Sequence, residues 1–272
     1  MAELFEYSFF RNALLGMLII SIAGAVIGTY VITRRLVSIT GGVTHACFGG
    51  LGLGYYLGVN PVFMAGVFAV VSSVGVEWMS VRLRLREDSA IAVIWSLGMA
   101  LGVLFVFMSP GYVPELNAFL FGNILTIGTS DLYAFAIYTA VVMLFFVAFS
   151  KKIVACAFDP DFARVSGMPV RFINYAMTVF VAICIVLTIR LVGIMLLISM
   201  LTVPVLIAET WSRRFFGIMW LSMAVSAVTS LSGIFVAALI DVPCSSVVVL
   251  LQVGIYLCSR LVKTVMTRRL MQ

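Results

Sequence analysis

The chain of 272 residues holds a single histidine, His45, in the glycine-rich stretch Thr40-Gly41-Gly42-Val43-Thr44-His45-Ala46-Cys47-Phe48-Gly49-Gly50. Imidazole is a good ligand for zinc, iron, copper and nickel. An ionisable side chain within an apolar segment is a functional candidate by default, the bland alternative being a histidine hydrogen-bonded near a membrane interface. Thr44 and Cys47 share the stretch and complete a candidate metal pathway. Cys47 lies only two residues on, so it points to a different face of a regular helix and forms no metal pair with His45 by spacing alone.

A second informative segment is Ala157-Phe158-Asp159-Pro160-Asp161-Phe162-Ala163-Arg164-Val165-Ser166-Gly167-Met168-Pro169. Asp159 is an N-cap candidate for the orphan amides of a first helical turn. Pro160 suits the first helical position, where its missing donor costs nothing, and Asp161 complements the positive end of the helix dipole. Gly167 supplies a left-handed stop, with Pro169 beyond it. The prediction is a two-turn helix at about 159–167, with Phe162 and Val165 three residues apart on one face. Such a helix is too short to be stable alone, so its apolar face calls for a cover. That cover is either the membrane surface and neighbouring loops or a groove on another protein.

Other candidates carry less. Glu77, Glu209 and Asp241 fall at the ends of apolar runs and read as boundary residues. Pro204 is expected to kink or break its helix, as happens where a pathway is lined. The fifteen methionines are dispersed, and the five cysteines (Cys47, Cys156, Cys184, Cys244, Cys258) form no CxxC pair. They suit helix packing better than a copper site or a disulfide framework. No GxxxxGK[ST] is present, since none of the three lysines follows a glycine, so the chain has no Walker A loop for ATP. One histidine excludes HExxH chemistry, and there is no GxSxG elbow. No catalytic residue is assigned.

The elements that must position these residues are set by composition. Hydrophobic residues make up 63% of the chain and charged ones 10%, against about 25% charged in soluble domains. A chain this apolar needs lipid as its solvent. Apolar runs fall at about 12–33, 43–58, 61–81, 90–108, 131–149, 171–189, 191–208, 215–240 and 243–262, near the roughly 20 residues that cross a bilayer. The expected fold is an all-α, polytopic integral membrane bundle of about nine transmembrane helices. Eight spans plus a re-entrant piece is the alternative partition. The segment Met1–Glu6 lacks the positive region of a cleaved signal peptide, so the first run is expected to remain a span.

Nine spans with the N-terminus outside gather fifteen of the seventeen lysines and arginines on one face, leaving only Arg11 and Arg190 opposite. The positive-inside rule makes that face, and the C-terminus, cytoplasmic. The net charge of +6 is thus a topology signal and not a nucleic-acid surface. The outer segment 109–130 is expected to carry a short interfacial helix around Phe119–Leu125. No stretch is polar enough for a soluble domain, and residues 1–272 read as a single transmembrane domain.

Five stretches in order resemble the zinc, manganese and iron permease family of ABC importers. They are Arg34-Arg35-Leu36-Val37-Ser38 running into Thr44-His45-Ala46 and Gly49-Gly50; Arg86-Glu87-Asp88-Ser89-Ala90-Ile91; Leu120-Phe121-Gly122-Asn123-Ile124-Leu125; the Asp159-to-Gly167 helix; and Leu191-Val192-Gly193-Ile194-Met195-Leu196-Leu197 with Pro204 and Ala208. The resemblance implies a dimeric permease of the bacterial inner membrane. It would join two cytoplasmic ATPase subunits and receive metal from an extracytoplasmic binding protein. Zinc is the first expectation, with manganese and iron next, as transported ions and not as permanent cofactors. Asp159, Pro160, Asp161, Phe162, Ala163, Val165 and Gly167 would form the coupling helix, and His45 would lie on the metal pathway. Family members commonly carry an aspartate four residues before this histidine; here the position is Gly41. The rival reading is a secondary metal transporter or channel without an ATPase. It is disfavoured because such proteins use buried acidic residues that the centres of these spans lack.

Overall fold

A bilayer offers no water to backbone amides, so an apolar chain must satisfy them within helices or closed barrels. The computed structural model describes residues 6–109, 122 and 127–270, and among them every regular element is helical. The order is α1 (Ser8–Thr33), α2 (Val37–Leu57), α3 (Pro61–Arg82), α4 (Glu87–Met108), α5 (Thr129–Phe158), α6 (Pro160–Val165), α7 (Val170–Trp211), α8 (Phe215–Ile240) and α9 (Cys244–Leu270). Seven of these are long and apolar enough to cross a membrane. The interfacial helix expected around Phe119–Leu125 lies outside the described residues, Gly122 excepted. Outward-facing side chains are large and apolar, Phe107 being 86% and Leu250 72% exposed. A surface of that kind belongs in lipid.

Every apolar run read from the sequence falls on a helix, but two limits differ. α5 continues through Lys151 and Lys152 to Phe158, because a helix whose amides are already paired need not stop where the hydrocarbon does. The runs 171–189 and 191–208 are joined in α7, whose 42 residues would extend about 63 Å if straight, twice the hydrocarbon thickness. The break in α7 is at Gly193 (φ 79°, ψ 173°), not at Pro204. That backbone region is essentially reserved for glycine. Residues around the buried Pro204 stay helical.

The chain packs as two compact units. The first holds α1 through Ile32, α5 through Leu144, and the chain from Leu191 onward. Here α1 lies against α7 through Gly24 and Gly28, the latter meeting the Leu201 carbonyl. Without side chains, these glycines let two backbones touch, which is how helices associate when lipid removes any hydrophobic drive. Polar links complete the unit: Ser199 donates to the Gln252 side chain (2.6 Å), whose amide donates to Thr229 (3.2 Å). Gln252 is wholly buried. Gly122 (φ 69°) rests on the Val192–Gly193 peptide, so two of the sequence motifs meet at the break in α7.

The second unit holds Thr33 to the end of α4 and Phe145–Arg190. α2 is its centre. Asn60 caps α3, accepting from Val62 N (3.0 Å) and Phe63 N (3.1 Å). α5 and α7 meet through Phe145 and Phe180, with ring centroids 5.0 Å apart.

A substitution pair tests the glycine contacts. Gly28→Leu is expected to destabilise by about 1–3 kcal/mol through overpacking, lowering the thermal unfolding midpoint in detergent. Gly41→Ala, whose added Cβ meets nothing within 4 Å, is expected to be neutral or slightly stabilising, because alanine is the better helix former.

Candidate functional site

α2 is wedged between α3 and α4 by its glycines. A Cβ on Gly52 would lie 2.5 Å from the Gly102 carbonyl oxygen of α4, and one on Gly54 2.6 Å from Pro61 Cα of α3. The contacts run Gly42 to Ile91, Gly49 to Gly98 and Gly52 to Gly102, so α2 and α4 are parallel. Gly50 meets Ala65 and Gly54 meets Pro61, so α3 is antiparallel to both.

This wedge decides which α2 residues stay open. Thr44 and Cys47 are fully buried, and the Thr44 hydroxyl donates to the Thr40 carbonyl one turn back. His45 is only half-buried and shares its open stripe with Gly41 and Phe48. Of the three candidate pathway residues, His45 alone presents accessible surface. It sits eight residues into α2, about 12 Å from the helix start. Its imidazole stacks on Trp95 of α4, with rings parallel and centroids 4.6 Å apart. Stacking fixes the ring plane and leaves its nitrogens at the edge, where a metal would bind. Sequence reasoning missed Trp95, because a cross-helix pair depends on the register of α2 against α4 and leaves no local spacing signal. Among the described residues no cluster of three His, Cys, Asp or Glu gathers.

α6 is built as its sequence dictates. The Asp159 carboxylate accepts from Phe162 N (2.9 Å), and Pro160 opens the first turn. Arg164 pairs with Asp161 at 3.0 Å, an exposed contact worth little in itself. The C-terminus closes as a Schellman motif: Gly167 N donates to Arg164 O (3.1 Å) and Met168 N to Ala163 O (3.0 Å), with Gly167 at φ 73°. Ala163 faces inward and is wholly buried, while Phe162 is 60% and Val165 91% exposed. The short helix is held from below and presents its apolar side chains outward.

Arg34 supplies part of that footing. It is 12% exposed, 3.9 Å from the Glu87 carboxylate at the start of α4, and donates to the Cys156 carbonyl in the last turn of α5 (3.2 Å). Arg34, Arg35 and Glu87 line a cleft with Ala157, Phe158 and Pro160, directly beside α6. Nearby, Glu77 is half-buried with Arg34 and the Asn174 side chain in its surroundings. Glu209 and Asp241 remain at helix ends; Asp241 takes the left-handed cap of α8 at φ 52°.

These features define a multi-pass helical membrane protein with a capped, outward-presenting connector. The chain belongs to the ABC 3 transport family, whose profile matches residues 6–263. It is a multi-pass protein of the bacterial inner membrane and a metal-type ABC permease by family. It is 36% identical over 249 residues (89% of this chain, 85% of the relative) to a "probable metal transport system membrane protein" of Chlamydia pneumoniae. It is 26% identical over 253 residues (93% and 90%) to the manganese transport system membrane protein MntC of Listeria monocytogenes. Among solved structures it resembles PsaBC from Streptococcus pneumoniae in complex with Fab, with a TM-score of 0.82 and 26% identity over 95% of this chain and 94% of that one.

Two measurements probe the site. Gly41→Asp adds a carboxylate one turn before His45 in open space. Calorimetric titration of the purified chain with Mn²⁺ or Zn²⁺ should show binding tightened on the order of tenfold, about 1.4 kcal/mol; His45→Ala in the same background should remove the gain. Arg34→Gln deletes a charge-assisted hydrogen bond of about 1.5–3 kcal/mol. Amide exchange over residues 157–168 should accelerate accordingly.

Proposed function

We propose that this chain is the permease subunit of an ABC importer that carries divalent transition metal ions into the cytoplasm, driven by ATP hydrolysis on separate partner subunits. The observation that carries the reading is α6: a fully capped two-turn helix, anchored through buried Ala163, with Phe162 and Val165 exposed. No such helix persists alone in water, and an apolar face kept open at this position suits insertion into a groove on a cytoplasmic ATPase. The basic-residue count supports the orientation, with the N-terminus outside and α6 and the C-terminus inside. Counting α7 as two crossings around Gly193 and α2 as a further one gives nine spans.

Two copies of the chain, paired through the open face of α2 and α4, would bring two His45 side chains to one pathway and supply the ligand that Gly41 does not. An extracytoplasmic binding protein delivers the ion on the outer side. Closure of the ATPases moves α6 and, through Arg34, the starts of α2 and α4, opening the pathway alternately to the two sides. Zinc leads on imidazole chemistry; manganese and iron are the ions named for relatives.

The test uses the permease co-expressed with its ATPase partner and reconstituted in liposomes. Phe162→Asp is expected to cost about 2 kcal/mol or more of docking, as for a buried aromatic anchor, and ATP-driven uptake of radioactive metal should fall by roughly thirtyfold. Undiminished ATP-dependent uptake by the variant removes the coupling role of α6. Uptake by the permease alone without nucleotide replaces the reading with a secondary transporter. Competition among Zn²⁺, Mn²⁺ and Fe²⁺ in the same assay ranks the cargo.

A further inference from the structure

Within the second unit, α3 and the first half of α7 leave an open groove of about 670 Å³. Its walls are apolar, with Phe63, Val67, Val71 and Val186 among them, and among the described residues the polar part of the lining is Asn60 and Arg190. Both stand at helix ends: Asn60 caps the start of α3, and Arg190 comes three residues before the break in α7. The groove follows α3 from Asn60 to Val71, eleven residues or about 16 Å. That is roughly half the 30 Å hydrocarbon thickness, the depth of one leaflet.

The polar end is fitted to an anion. Asn60 commits its side-chain oxygen to the α3 cap, which leaves its amide as a donor. A guanidinium has five N–H donors, enough to serve a protein neighbour and a phosphate together, and arginine favours phosphate oxygens in bidentate geometry. Basic pockets between transmembrane helices bind lipid headgroups on the cytoplasmic side of membranes, and the attraction of a guanidinium for a phosphate is the same at the opposite interface. Charge, depth and wall chemistry agree on one occupant.

We propose that this groove is a binding site for an anionic phospholipid, with an acyl chain along Phe63, Val67 and Val71 and the headgroup phosphate on Arg190 and the Asn60 amide. Arg190 is one of only two basic residues that the charge distribution leaves off the basic face, and lipid binding gives that exception a purpose. The site is independent of the metal pathway and of α6, so its failure would leave the transport reading untouched.

Native mass spectrometry of the full-length protein, released from detergent containing either phosphatidylglycerol or diacylglycerol with the same chains, tests it. Phosphatidylglycerol should be retained in preference to diacylglycerol. Arg190→Gln should lower phosphatidylglycerol retention on the order of fivefold and leave diacylglycerol unchanged. Val67→Trp, which fills the groove, should lower both. Equal retention of the two lipids by the unmodified chain, or no effect of Arg190→Gln, overturns the site. Efficient disulfide formation between two Val67→Cys chains, without lipid retention, assigns the groove to a second copy and overturns it equally.

Discussion

The close approach of backbones at glycine is the constraint on which this structure depends. In lipid, helices gain nothing from hiding apolar side chains from one another, so association rests on van der Waals contact and interhelical hydrogen bonds. Gly49, Gly52, Gly98 and Gly102 bring α2 against α4, while Gly50 and Gly54 bring it against α3. In water each glycine inside a helix costs about 1 kcal/mol relative to alanine. In a bilayer the unwound alternative would strand its amides, so the helix persists and the small side chain is free to serve packing. The wedge then fixes the rest of α2: Thr44 and Cys47 turn inward, and His45 is left on the open stripe against Trp95.

Polar chemistry is concentrated where these helices end on the side of α6. Arg34 reaches both the first turn of α4 and the last turn of α5. A charge with 12% exposure is expensive unless partnered, and here its partners belong to separate helices. Loss of one contact therefore loosens several elements together.

The long helices and the short connector were legible in the sequence because each rests on a local signal. Apolar runs mark the helices, and Asp159, Pro160 and Gly167 mark start and stop of α6 within a residue or two. The break in α7 was not. Pro204 draws attention because proline removes a donor and crowds the preceding turn, yet a helix in a membrane accommodates it when neighbours serve the freed carbonyl. The carbonyl four residues back, on Met200, lies near Gly24 of α1. Gly193 carries the break instead, because its backbone takes a φ of 79° and Gly122 packs on the same peptide. That pairing joins residues seventy apart, and no window along the chain displays it. The Trp95–His45 stack is hidden for the same reason: it exists only once α2 and α4 are in register.

The glycine at position 41, where the family resemblance leads one to expect an aspartate, acquires a physical meaning from this geometry. Gly41 is not required for packing, since a Cβ there would meet nothing within 4 Å. Its small size is therefore not explained by a neighbour, in contrast to Gly42, one residue on, which abuts Ile91. What the glycine changes is the charge beside His45. A carboxylate and an imidazole one turn apart would hold a divalent ion through two protein ligands, and each added ligand deepens the well that the ion must leave. Without that carboxylate, the imidazole stacked on Trp95 would offer an ion a shallower well. On the proposed transport reading, a shallow well favours release of the ion over its retention.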